Sequence, residues 1–291
     1  MNIILDTSGG LGKSVMATAV LKSLRKHYSR DNIIVVSSYP DVFKNNPNAN
    51  RIINHSNSGT IFRDFINNKE AKVFLTDPYT TSDFITEKKH LIEIWCDLCG
   101  VKYDGELPEM FISKSERQYY EQFYKLDKPI LAIQPNGGSM EQPLKYSWTR
   151  DIPQPVMMDI IDHYKKDYSV VHIKREDQLA YPDTIAALDN FRSIAIMLGL
   201  SKKRLLIDSS AMHISAALGL PSTVTWIGTN PKVFGYDIHD NIIANPHTSN
   251  HDISENYYQK YRLFEDISRI PYLDLNDIFN SNDIIKSINK Q

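Results

Sequence analysis

With 291 residues, the chain is longer than one ordinary small domain and suits two α/β units of roughly 100–200 residues each. The 33 Lys and Arg nearly balance the 35 Asp and Glu, so no global field recruits nucleic acid or a membrane surface. Two cysteines, Cys96 and Cys99, exclude a disulfide framework, the start MNIILDTSGG lacks a signal-peptide pattern, and no apolar run nears the roughly 20 residues that span a bilayer, so the expected location is the reducing cytoplasm.

Short β-branched runs alternate with helix-period segments, the pattern of parallel βαβ units covered by helices on both faces. A first series predicts strands at residues 2–5, 32–36, 51–54 and 73–76. Its opening helix is predicted over residues 14–27, with Val15, Met16, Ala19, Val20 and Leu24 on one face and Lys22, Arg25 and Lys26 pointing away. A helix over residues 87–99 is stopped by Gly100, and another is expected over 114–124. The stretch Lys125-Leu126-Asp127-Lys128-Pro129 suits a linker and divides the chain into residues 1–127 and 128–291. The second series predicts strands at 130–134, 168–173, 205–208, 222–227 and 241–244. Helices are expected at 153–165, 184–189, 191–200 and 211–218, and residues 274–290 read as one or two more. No internal repeat interrupts this plan. Two similar halves facing each other leave a cleft between them.

The most informative stretch runs from Leu205 to Pro221, LLIDSSAMHISAALGLP. A buried apolar strand ends in Asp208, Ser209 and Ser210 can cap the next helix, and that helix's first turn offers free N–H groups to an anion. His213 lies within the same turn, where its ring can reach the same ligand. A capped helix after a core strand, with an incidental histidine, accounts for the spacing as well.

The segment resembles the donor-binding motif of the glycosyltransferase family 9 heptosyltransferases, in which an acidic residue, small residues and a histidine precede an Ala-rich helix. The continuation Thr223-Val224-Thr225-Trp226-Ile227-Gly228-Thr229 is similar to that family's next strand and glycine loop. The resemblance implies that Asp208, Ser209, Ser210 and His213 hold the nucleotide and diphosphate of a sugar donor, with Gly228 and Thr229 nearby. A second match lies at Ile133-Gln134-Pro135-Asn136-Gly137-Gly138 followed by Lys145-Tyr146-Ser147-Trp148. It brings Gly137 to the donor and gives Lys145 the family's phosphate contact, a compact charge suited to a departing diphosphate. Glu176, in Lys174-Arg175-Glu176-Asp177, stands where the family places an acidic residue for the ribose or base.

The likeness covers about residues 1–240, with one important departure. Where the family has Gly-Asp in its first loop, the aspartate being its proposed base, this chain has Gly12 followed by Lys13 and Ser14. Asp6 and Asp77 are the nearest carboxylates that can take over, and each also reads as structural. The same loop, Ser8-Gly9-Gly10-Leu11-Gly12-Lys13-Ser14, offers Gly10, Gly12 and Lys13 for a phosphate or an acceptor, in the manner of an incomplete P-loop. Cys96 and Cys99 read as packing, Asp274-Leu275-Asn276-Asp277 gives no metal motif, and Lys202-Lys203-Arg204 reads as a solvated turn.

The resulting expectation is an α/β protein of two Rossmann-like domains facing across a cleft, the GT-B architecture. Residues 1–127 form the acceptor side and residues 128–291 the donor side, with the C-terminal helices free to pack back toward the first domain. The implied activity moves a sugar from an ADP-heptose-like nucleotide-sugar to an acceptor hydroxyl, inverting, without metal or other cofactor. The acceptor is a saccharide or another hydroxyl, a hydroxylated base of phage-type DNA being the alternative within the same fold. A P-loop-like NTPase or nucleotide-binding protein is the alternative outside it.

Overall fold

The computed structural model describes residues 1–137, 149–187, 190–245 and 274–291. Two wholly parallel sheets organise the chain. The first comprises β1 (Asn2–Thr7), β2 (Asn32–Ser37), β3 (Arg51–Asn54) and β4 (Ala71–Phe74), in the order β3-β2-β1-β4. The second comprises β5 (Ile130–Ile133), β6 (Ser169–Ile173), β7 (Ile185–Ala187), β8 (Lys203–Ile207), β9 (Thr223–Trp226) and β10 (Asp240–Ile243). Its order is β10-β9-β8-β5-β6-β7, with Ile133 opposite Leu205 at the centre. Every residue of β5 and β8 is buried, as expected of parallel strands covered on both faces. The architecture is thus the expected mixed α/β one, with parallel sheets consistent with the GT-B fold.

The helix α1 (Leu11–His27) returns the chain from β1 to β2. The amphipathic reading of this helix is too modest, because Ser14–Leu21, Ser23 and Leu24 are all buried and only Lys22 interrupts them. The reason is a sandwich. α1 packs on the first sheet, on α3 (Leu91–Leu98) and on α7 (Ser210–Ala217), so three sides exclude water. A single apolar cluster accordingly runs from Ile3, Met16 and Trp95 through to Ala211, Met212 and Trp226. A second, containing Leu131, Ile133, Leu205 and Ile207, lies on the opposite face of the larger sheet under α5 (Gln154–Tyr164) and the terminal helix, called α9 (Ser281–Asn289).

Between these elements lie α2 (Ser82–Ile85), α4 (Lys114–Glu121), α6 (Phe191–Leu200) and α8 (Pro231–Phe234). α4 starts in a full capping box, Ser113 with Glu116, and packs on α6. There Arg192 is buried and its guanidinium grips Glu116 with two bonds, Nε to Oε1 at 2.7 Å and Nη2 to Oε2 at 3.0 Å. The same group donates to the carbonyls of Asp41 and Phe111, each at 2.7 Å. Arg192 holds the Glu116 carboxyl down at about 2, far below the usual carboxylate range.

Three local expectations change. Residues 184–189, expected as a helix, contain the edge strand β7, whose Ile185 pairs with Val171. The run Ile-Ala-Ala fits either state, and the free edge of β6 decides it. The helix expected from residue 87 begins at Leu91, since Glu87 has φ +51° and His90 caps the helix by accepting the Ile92 N–H on Nδ1. Lys203 and Arg204 form no solvated turn: both are buried in β8, where Lys203 donates to the Ile288 carbonyl and Arg204 to those of Pro221, Leu198 and Ser201. The packing reading of the cysteines agrees with the structure, where burial pushes the Cys96 thiol up to about 12 and that of Cys99 to about 11. No helix among the described residues is long and apolar enough to cross a membrane.

Candidate functional site

In an open parallel sheet a crevice forms at the carboxyl ends of two neighbouring strands whose connections leave in opposite directions. Each sheet here has one such point, between β1 and β4 and between β5 and β8. The first presents the glycine loop after β1 and residues 75–77 after β4. The second presents Gln134 to Gly137 after β5, and Asp208 after β8. Both crevices thus coincide with stretches that the sequence singles out.

At the second crevice, β8 delivers Asp208 to the rim and the chain turns at once into α7. Ser209 occupies the N-cap position with extended backbone, yet its side chain makes no cap bond, so the expected serine cap is absent. Met212 donates its N–H to the Ser209 carbonyl at 3.1 Å, which leaves the N–H groups of Ser210 and Ala211 to meet an anion. Asp208 accepts the Thr229 hydroxyl on Oδ2 at 2.8 Å, which ties the end of β8 to the loop after β9. Burial raises the Asp208 carboxyl above its ordinary range, while the Arg150 guanidinium and the Thr229 hydroxyl act against that rise. Gly228 is required by close approach: its N–H donates to the Thr149 carbonyl at 2.8 Å, and a Cβ there would stand 3.0 Å from that same oxygen. Gly137 donates its N–H to Asp151 Oδ1 at 2.8 Å, and Asn136 donates to the other oxygen at 3.1 Å.

The first crevice lies against this one. α1 also starts without a side-chain cap, at Gly10, so a second helix terminus with free N–H groups adjoins the first. A Cβ placed on Gly12 would meet His213 Cδ2 at 2.9 Å and the Ser210 Cα at 3.7 Å. His213 is buried, with Nδ1 2.8 Å from the Tyr236 hydroxyl, and burial beside His90 and His239 depresses its ring to about 3, so it is neutral. Lys13 lies with Nζ 3.3 Å from Asp77 Oδ1 and over the rings of Trp95 and Tyr79, at 5.4 Å and 5.6 Å from their centroids. Asp6 accepts the Ser8 N–H at 2.8 Å and lies 3.2 Å from His55 Nε2. Asp77 accepts the Tyr79 N–H as well as the lysine, yet its side chain remains 48% exposed.

The structure therefore gathers Gly10, Gly12, Lys13 and Asp77 beside Ser210 and His213, with Asp208, Thr229, Gly228 and Gly137 around the adjoining crevice. Asp6 stands at the end of β1 in bonds that order its loop. Glu176 is exposed in the turn after β6. Lys145 and Gly138 lie outside the described residues. Sequence reasoning passed over Arg150, Asp151 and Tyr236. The charged pair just ahead of the proline that opens α5 was the available signal for the first two, and nothing local marked the tyrosine.

The Gly12 contact makes one expectation specific. Gly12→Ala forces the added methyl into the His213 ring and is expected to cost about 1–3 kcal/mol of stability as overpacking does. Gly199→Ala, a helical position with open space around it, should instead be stabilising by up to about 1 kcal/mol. Thermal melts of the two variants beside the parent check the contrast.

Solved structures share this fold. A glycosyl transferase of family 9 from Veillonella parvula superposes with a TM-score of 0.70 at 15% identity, covering 99% of this chain and 96% of that one. The fold is that of the family 9 glycosyltransferases. An E. coli heptosyltransferase, WaaC, solved with ADP gives a TM-score of 0.61 at 10% identity, covering 100% and 99%. The iron-containing dodecameric glycosyltransferase TibC from enterotoxigenic E. coli gives 0.71 at 12%, covering 99% of this chain and 75% of that one. No protein-family model matches the sequence, and the curated proteins give no match either. At such identities the family 9 likeness is one of fold, and chemistry has to be argued from the site.

Proposed function

We propose that the protein transfers a glycosyl group from a nucleotide-sugar to an acceptor hydroxyl, the donor being ADP-heptose-like and seated at the β5/β8 crevice. The observation that carries this reading is the uncapped start of α7 beside Asp208, at the strand-order reversal of a family 9 fold. Residues 128–291 then form the donor domain and residues 1–127 the acceptor domain, in a GT-B pair. The Ser209–Ser210 turn takes the diphosphate, and Lys145 stabilises its charge as it departs. Arg150, already beside Asp208, adds a cation on the same side.

In the reaction the acceptor oxygen forms a bond to the anomeric carbon while the bond from that carbon to the diphosphate oxygen breaks. The acceptor proton passes to a carboxylate, and the nucleoside diphosphate leaves with the bonding pair. Asp6 and Asp77 are the candidate carboxylates on the acceptor side. Attack opposite the leaving group inverts the anomeric centre, and the charge on the diphosphate is met by helix N–H groups and cations without a metal.

Asp208→Asn is expected to slow ADP release from ADP-heptose by about tenfold to a thousandfold. The check is an ADP-release assay on parent and variant, with and without EDTA. Steady ATP hydrolysis with no turnover of ADP-heptose would replace this reading with the nucleotidase one, and loss of activity in EDTA would replace the metal-free mechanism.

A further inference from the structure

Gln134 stands where the β5 ladder ends, its N–H donating to the Leu205 carbonyl at 2.9 Å. Its side chain is only 9% exposed, and its Oε1 is buried with no hydrogen-bond partner among the described residues. Side-chain direction follows from strand alternation. Leu131 and Ile133 belong to the cluster under α5 and α9, whereas Ile130 and Ala132 belong to the cluster under α7. Gln134 shares the second face. On β8 the same alternation puts Leu205 and Ile207 on the α5 face and Leu206 and Asp208 on the α7 face. Gln134 and Asp208 therefore line one side of one crevice, floor and rim. The other buried side chains of this sheet without partners, His172 and Thr225, alternate with Val171 and Val224 of the α7-side cluster and so occupy the opposite face.

A buried amide oxygen without a donor is costly to a folded chain, and an apolar residue of similar size would remove the cost. The missing partner must donate. A phosphate only accepts, so the diphosphate cannot satisfy this atom, whereas a hydroxyl can.

We propose that Gln134 reads a hydroxyl group of the nucleotide-sugar, accepting its hydrogen bond at the floor of the β5/β8 crevice and so selecting a hydroxylated ligand at that point. This rests on the donor site proposed above and adds to it a specificity-determining residue. The hydroxyl belongs either to the transferred sugar or to the ribose, and binding of two probes separates them.

The experiment compares the parent with Gln134→Met and Gln134→Leu, measuring melting temperature without ligand and the affinities for ADP and ADP-heptose by calorimetry. The variants should melt at or above the parent temperature, because they remove an unpaired buried atom, and should bind ADP-heptose roughly tenfold more weakly. Unchanged ADP binding assigns the contact to the sugar; an equal loss for both probes that recurs with purine riboside diphosphate, which lacks the base amine, assigns it to the ribose, and a loss confined to the amine-bearing probes overturns the hydroxyl. A parent that binds neither probe sinks the proposed function and this inference with it. A parent that binds ADP-heptose while both variants bind it equally well overturns the inference alone. So does a fall in the ligand-free melting temperature of both variants, the mark of a glutamine that serves the fold.

Discussion

Arg192→Ala is expected to lower the unfolding free energy by about 3–5 kcal/mol, the penalty for stranding a buried carboxylate whose partner is removed. The side chains of Arg192 and Glu116 are 6% and 15% exposed, so little solvent is at hand to replace the guanidinium. The loss extends beyond the ion pair, because the carbonyls of Asp41 and Phe111 also lose their donor. These partners lie in the first series of elements and Arg192 at the start of α6 in the second, so the substitution loosens the seam along which α4 rests on α6. Arg192→Lys should recover little, since an ammonium cannot reproduce a planar fork that serves four acceptors. Urea unfolding of the variants measures the effect. A change under about 1 kcal/mol would show that the pair is screened as surface pairs are.

The central strands were legible because each sheet is parallel and buried at its centre, which leaves continuous apolar runs such as Ile33 to Val36 and Leu205 to Ile207. Short edge pieces were harder. β7 is three residues whose pairing to β6 comes from tertiary structure, and no local signal in Ile-Ala-Ala announces a strand. The all-round burial of α1 was equally hidden, because a hydrophobic face read from one helix cannot show that Ser37 of β2 meets Ser14, that the Glu109 N–H meets the Thr18 hydroxyl, and that α7 arrives from residue 210 onward against Gly12. At the site, motif positions such as Asp208, Gly12 and Gly228 were singled out in the sequence by their resemblance to the family 9 pattern. Their partners were not: that Lys13 would be met by Asp77, or His213 by Tyr236, depends on how the chain folds over itself across dozens of residues. Charge in the sequence also misleads when carbonyls absorb it, as the burial of Lys203 and Arg204 shows.

Acidification from pH 7 to pH 5 should destabilise the protein mainly through its buried histidines. His213, His172 and His239 are buried and neutral, depressed by desolvation to about 3, about 4 and about 4 from an ordinary 6.5, and His90 is shifted the same way. In the unfolded chain these rings take up protons as pH falls below about 6.5, whereas the folded state refuses them until its own lower values are reached. Their contribution is therefore complete above pH 6.5 and is lost as pH falls toward 4 and 3. Between pH 7 and pH 5 each of the first three costs at most about 2 kcal/mol, or about 6 kcal/mol together, against a typical domain stability of about 5–15 kcal/mol. Burial raises the Asp151 and Asp208 carboxyls, which works the other way and returns part of the loss as pH falls through their folded values. Glu116, held at about 2 from an ordinary 4.5, withdraws its own contribution only below pH 4.5. His172→Leu isolates one member of the set. Neither ring nitrogen of His172 has a partner among the described residues, so its replacement should be close to neutral at pH 7. The same variant should flatten the pH dependence near pH 5 by up to one proton, about 1.4 kcal/mol per pH unit. Urea titrations at pH 7.5, 6 and 5 supply both slopes. A parent whose stability is flat across that interval would mean that these rings already carry their protons in the folded state.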